Sequence, residues 1–349
     1  MRILYGVTGE GLGHAMRSRV VAQHLYQRGH EVKLVASGRA RGYLARYFPD
    51  VEAIPGFAME YRDGTMSRAR TMRRTLRAVR PAMRESIAMY RTSISGWQPD
   101  VCVSDFDSFS HVFGRLFGRP VISLDHQHVI DRCDHPMRVR DQLPGDFALT
   151  KAFVRAKMPG CVHYVVTSFY RPPAKARCRE RTTLVGPILR REVMALEPTN
   201  GEHVLVYQTG VPTADLIAAL RALPSVPFVV YARETADTAQ GNVTVRAFDE
   251  SRFLADLASA RAVICNGGYT LMSEALHLGK PILSMPLRHQ GEQELNAAYL
   301  QELGLGVAMR RLDLGALRTF VRSPEPIARL PAGNERALAT IDRLLEEVV

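Results

Sequence analysis

The sequence predicts an α/β protein of two doubly wound domains, and three observations point there. Its 349 residues exceed what one hydrophobic core usually organises. Short β-branched runs alternate with helix-length segments in both halves. Between the halves, "LVGPILRREVMALEPTNGE" is rich in Pro, Gly and charge, as domain seams are. The expected division is residues 1–188, residues 189–330 and a C-terminal helix over 331–349.

In the first half "RILYGVT" reads as a buried strand, followed by a Gly-rich loop and a helical pattern from Ala15 to Arg28. Gly29 and His30 close that helix, and "EVKLVAS" is the next strand. "PDVCVSD", "PVISLDH" and "VHYVVTSF" continue the series, each bounded by Pro or polar turns. The second half repeats it with "HVLVYQTG", "PFVVYA", "NVTVRAF", "AVICNGG" and "PILSMP". "NERALATIDRLLEEVV" reads as an amphipathic helix with Asn334 as its N-cap.

The composition, 46% apolar and 23% charged, is that of a globular chain. No apolar run approaches the roughly 18 residues of a spanning helix, and the N-terminus lacks a signal-peptide layout. Cysteines 102, 133, 161, 178 and 265 form no CxxC pair, which suggests a reducing cytoplasm. Net charge is +11 and uneven: residues 1–190 carry +15 and residues 191–349 carry −4. The positive half suggests contact with anionic lipid or phosphate. Arginine-rich coding in a high-GC genome explains the choice of Arg over Lys, but not why the excess stops near residue 190. Within it, "SRARTMRRTLRAVRPAMRESIAMYR", with Arg70, Arg73, Arg74 and Arg77, has an apolar stripe at helical spacing. It reads as a basic helix packed on the sheet or lying on a membrane surface. Nucleic-acid binding is not expected, because no interleaved aromatics or reading motif accompany the charge.

A plain strand-to-helix connection needs no paired glycines, yet "AVICNGGYTLMSEALH" places Asn266, Gly267 and Gly268 there. In a parallel sheet this is where helix N-termini meet anionic ligands. Glycines admit a pyrophosphate close to the backbone, Thr270 helps hold the first turn, and the Glu274 carboxylate can accept from two ribose hydroxyls. The stretch reads as a nucleotide-diphosphate site.

Here the sequence resembles a family. "NGGYTLMSEALHLGKPILSMPLRHQGEQELNAAYL" is similar to the donor signature of nucleotide-sugar glycosyltransferases, among them the bacterial cell-wall N-acetylglucosaminyltransferase and plant and antibiotic-pathway enzymes. The shared frame runs over about thirty-five residues: a Gly turn, Glu six residues after its second Gly, Gly-x-Pro, Pro after the next strand, then an acid/Gln pair before Asn-Ala. The resemblance implies the GT-B fold, two Rossmann-like domains with the active site in the cleft. It implies a UDP-linked donor by family habit, inversion, and no metal or other cofactor. It assigns Gly267 and Gly268 to the diphosphate, Glu274 to the ribose, and Glu292 and Gln293 to donor-sugar hydroxyls. Asn266 stands where plant relatives carry a diphosphate-contacting His, which puts that contact in doubt. Asn296 matches a structural Asn. Phe248 falls where the base is bracketed, with local packing as an equal reading.

"VTGEGLGHAMRS" is the acceptor-side counterpart, with Gly9, Gly11 and Gly13 before His14. It lacks the Gly-x-Gly-x-x-Gly spacing of a dinucleotide loop. The resemblance implies that His14 deprotonates the acceptor and that Asp105, in "PDVCVSDF", orients it; imidazole held in one tautomer by a carboxylate suits general-base work. The alternative is a phosphate contact for His14 and a strand-ending Asp105. "LDHQHVIDRCDH" tempts a metal reading, but is expected to line the acceptor pocket, with Asp125 and His126 nearest it. The acceptor is either lipid-linked or a small molecule or carbohydrate. Rival readings are a nucleotide-sugar 2-epimerase and a non-catalytic nucleotide-sugar binder. The expected location is cytoplasmic, peripheral on the inner membrane.

Overall fold

The computed structural model describes residues 1–348 apart from 10, 57–60, 63–64, 67–83, 85–86, 88–93, 95, 209–213 and 233–236. The arginines of the basic stretch at 70, 73, 74 and 77 lie outside the described residues.

The chain forms two compact units. The first gathers Met1–His135, Ala148–Arg190 and Ala332–Val349; the second gathers Pro136–Phe147 and Arg191–Pro331. The first nine strands are β1 (Arg2–Val7), β2 (Glu31–Ala36), β3 (Val51–Ala53), β4 (Tyr61–Arg62), β5 (Thr65–Met66), β6 (Val101–Asp105), β7 (Val121–Asp125), β8 (His163–Thr167) and β9 (Thr182–Val185). All but β4 and β5, which pair with each other, form a parallel sheet in the order β3-β2-β1-β6-β7-β8-β9. Strand order reverses between β1 and β6, so the carboxyl ends of those two strands flank a topological switch point, where such sheets bind ligands.

The second unit repeats the plan. Its strands are β10 (Val204–Tyr207), β11 (Phe228–Ala232), β12 (Thr238–Gln240), β13 (Val243–Ala247), β14 (Ala262–Cys265), β15 (Ile282–Ser284) and β16 (Gly306–Ala308). They run β12-β13-β11-β10-β14-β15-β16, parallel except for β12 on β13. The switch point lies between β10 and β14.

Helices cover the sheets because the strands are apolar on both faces. β1, for example, buries every residue from Ile3 to Val7. The Asn334–Glu347 helix sends Ala337, Ile341, Leu344 and Leu345 into the core of the first unit. Gly333, rather than Asn334, occupies the cap position of that helix, contrary to the sequence reading. The Asn334 amide is used elsewhere: it accepts from Leu189 N and donates to Leu189 O, both at 2.8 Å. This clamp needs close backbones, and a Cβ on Gly333 would stand 2.2 Å from the Gly186 carbonyl carbon.

In the second unit Lys280 is buried at the amino end of β15, where its Nζ donates to Thr199 O at 2.5 Å. Burial lowers its pKa to about 8. Between about pH 8 and the ordinary lysine value the unfolded chain holds the proton that the folded one releases, so stability rises with pH across that window. Denaturant titrations at the two ends of the window should show this rise, and Lys280→Met should flatten it. An equal rise in both proteins would assign it to other groups.

Candidate active site

At the first switch point, the loop after β1 leads through Gly11 (φ +115°) into the Leu12–Gln27 helix. Three- and four-residue spacing puts His14, Arg17 and Ser18 on one face of this helix, toward the end of β6. There Asp105 is fully buried. His14 Nδ1 and Arg17 Nη2 approach Asp105 Oδ1 at 2.7 and 2.5 Å; Arg17 Nε and Ser18 Oγ donate to Oδ2 at 2.9 and 2.8 Å. Four donors match the four lone-pair sites of a carboxylate. Burial alone would raise the Asp105 pKa, but Arg17 and His14 outweigh it and hold the carboxyl below its ordinary value.

This charge decides the tautomer of His14. Nδ1 lies 2.7 Å from the anionic Asp105 oxygen and 3.0 Å from Arg17 Nη2; the shorter contact, to the anion, favours a proton on Nδ1 that it donates to Asp105. Nε2 then holds a lone pair, and the Gln127 amide donates to it at 3.2 Å. His14 itself is 8% exposed. The arrangement is a buried ion pair aiming a basic imidazole edge at the switch point.

The loop after β7 is held by a network of internal bonds. Asp125 and His126 are both buried and engaged in internal bonds. Asp125 accepts from His128 N at 2.9 Å, pairs with His128 Nδ1 at 2.7 Å and accepts from Ser123 Oγ at 2.6 Å. Burial pushes its carboxyl up, but His128 and Ser123 outweigh that and hold it well below the ordinary range. His126 Nδ1 lies 2.8 Å from Thr167 O. Gln127, between them, is the residue that reaches His14. Among the described residues no group of three or more His, Cys, Asp or Glu is arranged to hold a metal.

At the second switch point β14 ends at Cys265, Asn266 and Gly267 follow, and Gly268 occupies the cap position of the Tyr269–His277 helix. Gly267 adopts φ +119°, and a Cβ there would stand 3.0 Å from both Gln293 O and Ser284 Oγ, so the turn requires glycine on two counts. Asn296 Nδ2 donates to Gly267 O at 3.0 Å, Asn266 Nδ2 to Met285 O at 3.2 Å and Ser284 Oγ to Asn266 O at 3.3 Å. The Asn266 amide thus braces the loop after β15. Gly268 is exposed, with open space where a Cβ would point. The first-turn N–H groups that follow have no intrahelical acceptor and carry the positive end of the helix dipole. Thr270 is half-buried in that turn and Glu274 is buried one turn further on.

Glu292 is half-buried at the start of the Gly291–Glu302 helix. Gln293 is buried, and its Oε1 accepts from Leu287 N at 3.0 Å, which fixes the preceding loop. Phe248, just after β13, is 42% exposed and packs on Phe253, Tyr207 and Tyr231, with centroids 5.4, 6.1 and 6.2 Å away. It forms the outer ring of an aromatic cluster at the strand ends and can offer a flat surface to a planar ligand.

Comparison with known proteins completes the picture. The pattern of glycosyl transferase family 1 matches residues 1–324. The chain belongs to glycosyl transferase family 1. It is similar to an uncharacterised glycosyltransferase of Methanosarcina mazei, 26% identical over 326 residues, spanning 88% of this chain and 85% of the relative. The solved glycosyltransferase of kitacinnamycin superposes with a TM-score of 0.64 at 19% identity, over 99% of this chain and 95% of the other. LpCGTa in complex with UDP gives 0.60 at 15% identity, over 98% and 93%. The fold is GT-B, and the protein is a glycosyltransferase.

For this family-1 glycosyltransferase, the sequence reading missed Arg17, Ser18 and Gln127. The first two carried a signal, lying three and four residues after His14 on a helix. Gln127 carried none, since it reaches His14 from another loop. The buried pair also sets an energetic prediction. Asp105→Asn leaves the Arg17 guanidinium without its countercharge and should destabilise the fold by about 3–5 kcal/mol. The double change Asp105→Asn/Arg17→Met should recover part of that loss in urea titrations; strict additivity of the two changes would contradict the coupling.

Proposed function

We propose that this glycosyltransferase moves a sugar, with inversion, from a nucleotide diphosphate donor to an acceptor hydroxyl or amine, with His14 as general base. The observation that carries this reading is the 2.7 Å contact of His14 Nδ1 with the buried Asp105 carboxylate, which leaves Nε2, bonded to Gln127, for the acceptor. As the acceptor oxygen or nitrogen attacks the anomeric carbon, its proton passes to Nε2. The bond from that carbon to the diphosphate oxygen breaks, and its electron pair leaves with the diphosphate. The acceptor group takes the place of Gln127 as the donor to Nε2. Asp105 stays ionised and stabilises the imidazolium.

The second unit is the donor side of the proposal. The open Gly268 turn and the amino end of the Tyr269–His277 helix offer N–H groups and a positive dipole to the leaving diphosphate. That supply of positive charge is why the reading invokes neither metal nor other cofactor, the nucleotide sugar being a co-substrate. Glu274 takes the ribose hydroxyls, Glu292 and Gln293 the sugar, and Phe248 the base. A uridine nucleotide is favoured by the UDP in the LpCGTa complex. Among the described residues no helix is long and apolar enough to cross a membrane; the proposed location is cytoplasmic, with peripheral membrane contact.

Two measurements test the assignments. Glu274→Ala should weaken UDP binding by roughly 1.5–3 kcal/mol, as for loss of hydrogen bonds to a charged acceptor; unchanged affinity by calorimetry would overturn the ribose assignment. His14→Ala should lower turnover about 100-fold or more with UDP affinity near normal. A defect confined to donor affinity would make His14 a phosphate contact instead.

A further inference from the structure

Two neighbouring helices of the first unit turn apolar side chains to solvent. The Ser108–Leu116 helix buries His111 and Phe113 but leaves Val112 and Leu116 exposed at 50% and 74%. The Phe147–Lys157 helix buries only Val154, and its Leu149 and Phe153 are 60% and 40% exposed. Each pair lies four residues apart, one turn along its helix. The turn after the second helix is fastened to the first helix and to β6, with His111 Nε2 2.8 Å from Pro159 O and Ser104 Oγ donating to Met158 Sδ at 3.6 Å.

The charge around these side chains is mainly positive. Residues 107–119 and 146–162 together contain Arg115, Arg119, Lys151, Arg155 and Lys157 against two acids, Asp107, buried as the cap of the first helix, and Asp146, paired with His289. Exposed apolar groups set among this excess of cations call for a partner that is both anionic and apolar. A second copy docked isologously would set these cations against each other. An anionic bilayer satisfies both features, since its headgroups neutralise the cations while the apolar side chains enter the headgroup boundary.

We propose that this two-helix face seats the protein on an anionic membrane surface. The contact uses none of residues 66–90, and it does not rest on the donor assignment. A membrane-bound acceptor would then be met by the unit that carries His14.

The test uses the full chain and sedimentation with vesicles of phosphatidylglycerol and phosphatidylcholine mixed equally, or of phosphatidylcholine alone. Wild type should bind the mixed vesicles at low salt, bind the neutral ones far more weakly, and lose binding as salt rises. Leu116→Ser/Phe153→Ser and Lys151→Gln/Arg155→Gln should each lower the partition coefficient roughly tenfold or more. All these side chains are at least partly solvent-facing, so melting temperature and UDP binding should stay at wild-type values and show that the variants are folded. Wild type that ignores phosphatidylglycerol, or that binds both lipids equally, overturns the proposal. So do variants that bind like wild type, which would move the contact elsewhere, and a wild-type dimer that the apolar double change dissociates.

Discussion

The buried Asp105 carboxylate is the constraint on which the first unit is organised. A charge taken fully out of water is tolerable only if every lone pair is met and a countercharge is close. Arg17 supplies the countercharge through a two-pronged contact, and Ser18 and His14 fill the remaining sites. All four donors come from one helix and the acceptor from the end of β6, so the cluster ties that helix to the strand across the switch point. His14 is held in the same act, and its tautomer follows from the sign of the charge beside it. In the proposed mechanism structure and reactivity share a single carboxylate.

In the proposed function the second unit meets a different demand, with backbone instead of charge: a diphosphate needs donors that approach closely, and side chains would crowd it. The Gly267–Gly268 turn opens the end of β14, and its shape is maintained from outside by Asn296 and Ser284. Asn266 belongs to this bracing, donating to Met285 O. Gln293 likewise spends its carbonyl oxygen on Leu287 N. Residues that a motif marks as ligand contacts are thus also the residues that keep the loops in place.

Much of this was legible in the chain. The long strands announced themselves through β-branched runs, and the paired glycines marked the second switch point. The short strands β3 (VEA), β12 (TAQ) and β16 (GVA) did not, because they lack the apolar run that marks the equally short β10, β14 and β15, and β9 runs straight into the seam. Asn334 was misread as a cap: local sequence shows a capping side chain, but not the Leu189 backbone 145 residues away that takes its hydrogen bonds. For the same reason the bonds of Asp125 and His126 to Ser123, His128 and Thr167, and the reach of Gln127 to His14, were not legible in the sequence. Spacing along one helix is readable; pairing between distant loops is not.

The central claim is that Asp105 fixes His14 with a proton on Nδ1 and a lone pair on Nε2. Nitrogen NMR of protein labelled at its histidine ring nitrogens, with His14→Gln used to assign the signals, tests it most directly. Near neutral pH, with no acceptor bound, the neutral form of the His14 ring should show a protonated Nδ1 and an unprotonated Nε2. Asp105→Asn, if folded, should relax that preference toward a mixture. A neutral His14 protonated on Nε2 in the wild type would contradict the account, because no base would then face the acceptor.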